Sequence, residues 1–200
     1  MLDAAPVAAE LQAAGEAFGP PLTDPQPAGA PALRWGLLFD ALDGGGDQGY
    51  VTAIELIYEG YLYHYRTSRV SAPVDDGHAT ALLAGDFFYA RGLRLIAACG
   101  DAEAVGLLAR LMAACSYLRG VSAPFADDDA LWAYTMGGLA ALRRGVPATT
   151  ATTLFEQFDA AVADGVTIDV RALARASARR LGLRDAAPLN VELAAADERS

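Results

Sequence analysis

An apolar run from Ala81 to Arg91 carries Gly85 and Asp86 side by side at its centre, and this pair constrains the fold more than any other feature of the chain. The apolar residues around the pair predict a helix through it. Inside a helix, Gly costs about 1 kcal/mol relative to Ala. A buried carboxylate left without a partner costs on the order of several kcal/mol. Two unfavourable choices at adjacent positions predict close approach of a neighbouring backbone at Gly85 and a buried partner for Asp86. Arg34, His64 and Tyr89 are the candidate partners.

The rest of the chain has the same helical character. Ala, Leu and Arg dominate long stretches, and alternating β-branched runs are nearly absent, so the fold class is all-α. Helices are predicted over residues 4–18, 32–42, 50–68, 78–99, 102–120, 130–144, 149–164 and 168–182, giving a single bundle of seven or eight helices. Residues 1–31 read as a short helix followed by a Pro-rich linker, 32–184 as the bundle domain, and 185–200 as an acidic tail that frays. The glycines Gly44, Gly45 and Gly46 make a helix-to-helix turn, and a loop from Ser71 to Gly77 holds Asp75 and Asp76. Asp101 is placed to cap the helix after it, and Asp127, Asp128 and Asp129 to cap theirs.

Composition excludes several classes of function. A hydrophobic fraction of 54% over 200 residues supports a sizeable core. A formal charge of −10 opposes binding to nucleic-acid phosphates, so no nucleic-acid partner is expected. Cys99 and Cys115 lie in apolar surroundings and read as core residues of a protein in a reducing compartment. With two Cys and two His no zinc site is expected. No signal peptide is expected at the N-terminus, and Asp86, Arg91 and Arg94 interrupt the longest apolar stretch, so no transmembrane segment is expected. These features point to a cytoplasmic protein. On the helix through residue 60, Tyr58, Tyr61 and Tyr65 share a face while Tyr63 points elsewhere; core packing and a partner interface both fit this cluster. His64, set among apolar and aromatic neighbours, reads as a hydrogen-bonded core residue.

The run Ala81-Leu82-Leu83-Ala84-Gly85-Asp86-Phe87-Phe88-Tyr89-Ala90-Arg91 resembles the "LLxGDxLxARA" helix of the trans-polyprenyl diphosphate synthases. The resemblance extends over roughly residues 30–120 with its segments in order. Ala30-Pro31-Ala32-Leu33-Arg34-Trp35 stands where that family has Gly-Lys-x-x-Arg-Pro, keeping the Arg as Arg34 and replacing the Lys by Pro31. The stretch from Glu55 to Arg69 stands where the family reads "ELIHxxSLxHDDxxD". Glu55, Leu56, Ile57, Leu62 and His64 match, Tyr58 replaces the first His, and Tyr65, Arg66 and Arg69 occupy the three acidic positions. In the family those acids hold Mg²⁺ against a substrate diphosphate, chemistry for which carboxylates four apart on one helix face are suited and arginines are not.

The resemblance therefore implies an isoprenoid-synthase-like bundle in truncated or degenerate form. It implies the role of the small non-catalytic component of a two-component hexaprenyl or heptaprenyl diphosphate synthase. Such a subunit pairs with a catalytic subunit as a hetero-oligomer and influences isoprenoid chain length. Mg²⁺ would belong to that partner, and no cofactor is expected in this chain. Arg34, Tyr58, His64, Arg66, Arg69 and Asp86 are the candidate substrate- or partner-binding residues, with no catalytic and no metal residues assigned. Arg66 and Arg69 would suit an acidic partner surface or a diphosphate, and Phe87, Phe88 and Tyr89 are candidates for a tunnel wall. Two alternatives remain. One is an interaction module of the same descent with no isoprenoid role. The other is an independent Mg²⁺-dependent prenyltransferase with a metal site built from Asp75, Asp76 and Asp159. The family's second motif, "FQxxDDxxD", is echoed only by Phe155-Glu156-Gln157-Phe158-Asp159 and Asp164, which read better as an ordinary amphipathic helix packed by Leu154, Phe155, Phe158 and Val162.

Overall fold

A computed structural model describes residues 4–18, 24–25, 31–72 and 78–198. Among the described residues there are nine α-helices: α1 (Ala4–Phe18), α2 (Trp35–Asp43), α3 (Gln48–Tyr65), α4 (His78–Ala98), α5 (Ala102–Gly120), α6 (Phe125–Arg143), α7 (Ala148–Ala163), α8 (Val170–Ala178) and α9 (Ala187–Glu198). A 3-10 turn over Arg179–Leu181 extends α8, and two residues at Asp24–Pro25 pair antiparallel with two at Ser71–Ala72. The all-α expectation holds. The chain divides into two compact units, Met1–Asp40 with Gly45–Asp101, and Ala41–Gly44 with Ala102–Ser200.

The first unit is organised by the pairing of α3 with α4. Residues Tyr50 to Tyr63 of α3 are all buried, because apolar and aromatic side chains surround the helix on every face. Asp47 starts it, accepting from the Tyr50 N–H at 3.0 Å. Before it, Gly44, Gly45 and Gly46 all take positive φ, which residues with a Cβ rarely adopt, so this turn demands glycine. Helix α1 packs into the same unit: Leu11 and Ala14 join Leu56, Tyr63, Ala84 and Phe88 in one core cluster, and Arg91 pairs with Glu10.

The close approach predicted at Gly85 is present. A Cβ there would lie 2.5 Å from the His64 ring and 3.1 Å from the Gly60 carbonyl. Gly60 and Gly92 continue the seam: a Cβ on Gly60 would meet the Gly85 carbonyl at 2.8 Å, and one on Gly92 the Ala53 carbonyl at 2.6 Å. Small residues two turns apart on each helix thus let the two backbones touch.

In the second unit α6 is the buried centre, covered by α5, α7, α8 and α9. The other helices supply apolar stripes, among them Leu107, Leu111 and Leu118 from α5, Leu154, Phe155 and Phe158 from α7, and Val170 and Ala174 from α8. Tyr134 on α6 donates to the Ala151 carbonyl at 3.0 Å, and burial pushes its hydroxyl up to about 12. The tail, read from its acids as fraying, is helical here. It forms α9, because Leu189, Leu193 and Ala196 recur at helical spacing and are buried beside α6. The aspartates at 127–129, expected as helix caps, are not caps. α6 starts earlier, after Pro124, so they lie within its first turns. Asp128 is fully buried 2.9 Å from Arg119 Nε. Asp127 meets Arg171 at 3.3 Å, with its carboxyl pKa raised by burial against the opposing pull of Arg171.

Candidate functional site

The most strongly organised polar group of the first unit sits along α3, where Glu55 and Glu59 are four residues apart and fully buried. Two carboxylates in an apolar interior need charge compensation, and Arg69 supplies it. Its Nη1 donates to Glu55 Oε2 at 2.6 Å and its Nε to Glu59 Oε2 at 2.8 Å. The same guanidinium reaches the carbonyls of Ala32 and Glu55 at 2.8 and 3.1 Å. Burial alone would lower the Arg69 pKa, but the charges of Glu55 and Glu59 outweigh it and hold the pKa above its usual value. One positive charge against two negative ones leaves an excess, which three backbone N–H groups and one hydroxyl absorb. Glu55 Oε1 accepts from the Arg34 and Gly36 N–H groups at 2.8 and 2.7 Å, placing the carboxylate at the positive N-terminus of α2. Glu59 Oε1 accepts from Ser68 Oγ at 2.7 Å and the Arg69 N–H at 2.8 Å.

Geometry explains why Arg69 can make these bonds. The predicted helix over 50–68 ends earlier, at Tyr65, and Arg66 takes extended backbone angles of φ −138° and ψ −148°. Continued helix would carry residue 69 about 15 Å along the axis from Glu59, at about 1.5 Å per residue. The early stop turns the chain back so that Arg69 lies alongside the helix it has just left.

Aromatic rings close over this network. The Tyr58 ring lies 4.8 Å from Arg69 Cζ and meets Trp35 edge to face at 6.0 Å, and the Arg34 guanidinium lies 4.0 Å from the Trp35 ring centre. Tyr61 stacks on Tyr58 at 5.9 Å and accepts from Arg66 Nε at 3.2 Å. Tyr63 points away and stacks on Phe88 at 5.4 Å. Burial of Tyr58, Tyr61 and Tyr63 makes the cluster core packing.

Five of the predicted positions, Arg34, Tyr58, Arg66, Arg69 and His64, thus lie on α3 or the segments flanking α2 and α3, while Asp86 stands on α4. Arg69 corrects the expectation of an outward-facing cation: it is spent on internal carboxylates. Asp86 corrects a second one. Its side chain is 71% exposed, because adjacent helix residues point about 100° apart and Gly85 takes the position facing α3. His64, one of the three candidate partners, does approach it, with Nε2 3.2 Å from Asp86 Oδ1, off the axis of a hydrogen bond. The imidazole stacks on Tyr89 at 5.1 Å. Phe88 is core, and Phe87 packs edge to face on Phe18 at 5.7 Å. Cys99 is exposed rather than core, lying past the end of α4, while Cys115 is buried as expected.

Asp75 and Asp76 lie outside the described residues, and Asp159 pairs with Arg110 at 3.3 Å on the surface of the second unit. Among the described residues no group of three or more His, Cys, Asp and Glu is arranged to hold a metal, and no helix is long and apolar enough to cross a membrane. The carboxylate pair that sequence reasoning missed is Glu55–Glu59; the signal was two acids four apart within the apolar stretch Val51 to Tyr63. Compared with protein-family models, curated proteins and solved structures, the chain matches none.

Proposed function

We propose that this chain is a non-catalytic subunit of a trans-polyprenyl diphosphate synthase, pairing with a catalytic subunit and influencing product chain length. The observation that carries the reading is the fixed internal cation at the end of α3. By resemblance, Arg69 occupies the last acidic position of the Mg²⁺-binding motif, and its guanidinium is held by Glu55 and Glu59. A residue committed in this way cannot bind Mg²⁺ and is already neutralised against a substrate diphosphate. The glycine seam between α3 and α4 supports the architectural half of the reading, since the Gly-Asp helix keeps its packing role. Ionisation of the allylic diphosphate would then fall to the partner, with its own Mg²⁺, and this chain would shape the space into which the product grows.

Coexpression with a catalytic prenyl synthase subunit from the same genome tests the pairing. The two chains should co-elute on size exclusion and remain together through a second column. Separate elution of this chain, folded, and of a folded, active synthase subunit would remove the proposal.

A further inference from the structure

Opposite the seam, α4 turns a second face outward, along Ala79, Leu83, Asp86, Ala90, Leu93 and Ala97, at alternating spacings of four and three residues. Leu83 is 62% exposed, Leu82, Ala79, Asp86, Ala90, Arg94 and Ala97 are exposed as well, and Leu93 is half-buried. The spacing is that of a helix–helix seam, and the side chains are mostly Ala and Leu. Arg94 makes no ion pair or hydrogen bond among the described residues.

We propose that this face pairs two copies of the chain, α4 lying antiparallel to its copy with Ala90 on the two-fold axis. The exposed charges Asp86 and Arg94 complement each other in that register and not in the parallel one. Residues equidistant from Ala90 meet, so each Asp86 stands opposite Arg94 of the second copy, twice by symmetry. Leu83 meets Ala97, a large side chain against a small one on either side of the axis. Ala90 at the crossing point permits close approach of the two backbones. A parallel arrangement would set Asp86 on Asp86 and Arg94 on Arg94, like charge on like charge. Asp86 thereby acquires a role that its exposure left open, and the role does not depend on any catalytic partner.

Sedimentation velocity on the full chain, from about 1 to about 100 µM, reads the association constant. The wild type should be a dimer at the upper end. Arg94→Asp should raise Kd at least about tenfold, because Asp86 then faces an acid, and the swap Asp86→Arg with Arg94→Asp should restore it. In a Cys99→Ser background, Ala90→Cys should form an intermolecular disulfide on oxidation. Melting curves report on folding of each variant, and Arg94→Asp, altering an exposed residue, should melt like the wild type. A wild type that stays monomeric throughout, or an Arg94→Asp or Leu83→Glu variant that dimerises unchanged, would overturn the proposal. So would a monomer whose Leu83→Glu variant loses only its attachment to a synthase subunit, since the face would then belong to that other partner.

Discussion

Arg69 is the residue on which the first unit leans most heavily. Arg69→Ala would leave Glu55 and Glu59 buried without their counter-charge, so a loss of about 3–5 kcal/mol in urea denaturation is expected. A change under about 0.5 kcal/mol would mean that the carboxylates find other compensation. Asp86 presents the opposite case. With its side chain mostly in water, its contact with His64 is a surface pair, and Asp86→Ala should move stability by less than about 1 kcal/mol. Tyr134 yields a pH signature. Its hydroxyl stays protonated in the fold up to about 12, against an ordinary value near 10 in the unfolded chain. Its contribution is therefore fully present below about pH 10 and lost as pH rises toward about 12. The wild type should lose on the order of 2–3 kcal/mol more than Tyr134→Phe across that window, and parallel stability curves for the two would contradict the assignment. At this scale the sequence was least legible. Arg69 reaches its partners only because α3 stops at Tyr65, and no local preference in Tyr65-Arg66-Thr67-Ser68-Arg69 announces that stop.

Helix pairs make a different kind of prediction, one in which intrinsic propensity and packing oppose each other. Replacing Gly by Ala within a helix favours the helix by about 1 kcal/mol. At Gly92 the added Cβ would lie 2.6 Å from the Ala53 carbonyl and 2.5 Å from Ile57, so α3 and α4 must separate. Gly92→Ala should therefore destabilise the protein by about 1–3 kcal/mol. At Gly106 on α5 nothing lies within 4 Å of a Cβ, and Gly106→Ala should stabilise it by up to about 1 kcal/mol. Thermal melts of the two variants should move in opposite directions; a shift of both in the same direction would show that the α3–α4 seam is not set by its glycines. The seam was legible from Gly85 alone, because a glycine weakens an apolar helix unless a neighbouring backbone comes close enough to need the space. The burial of Asp86 was inferred from the same neighbourhood and failed, since residues one apart on a helix cannot both face one neighbour. α9 escaped notice because the acids of the tail outweighed Leu189 and Leu193 in a reading by composition.

For the molecule as a whole, helical periodicity and Gly and Pro punctuation sufficed for an all-α fold, whereas its division into two compact units depends on contacts between helices far apart in sequence. The functional reading joins two scales: a Gly-Asp helix that keeps its packing, and an α3 whose end is organised around Arg69. Its most direct test is the chain-length distribution of prenyl diphosphates, measured by mass spectrometry after incubation with allylic diphosphate, isopentenyl diphosphate and Mg²⁺. The account predicts no turnover by this chain alone, and a shift to longer products, or the onset of synthesis, when it is added to a catalytic subunit. Turnover by this chain alone, or a product distribution that its addition leaves unchanged, would contradict it.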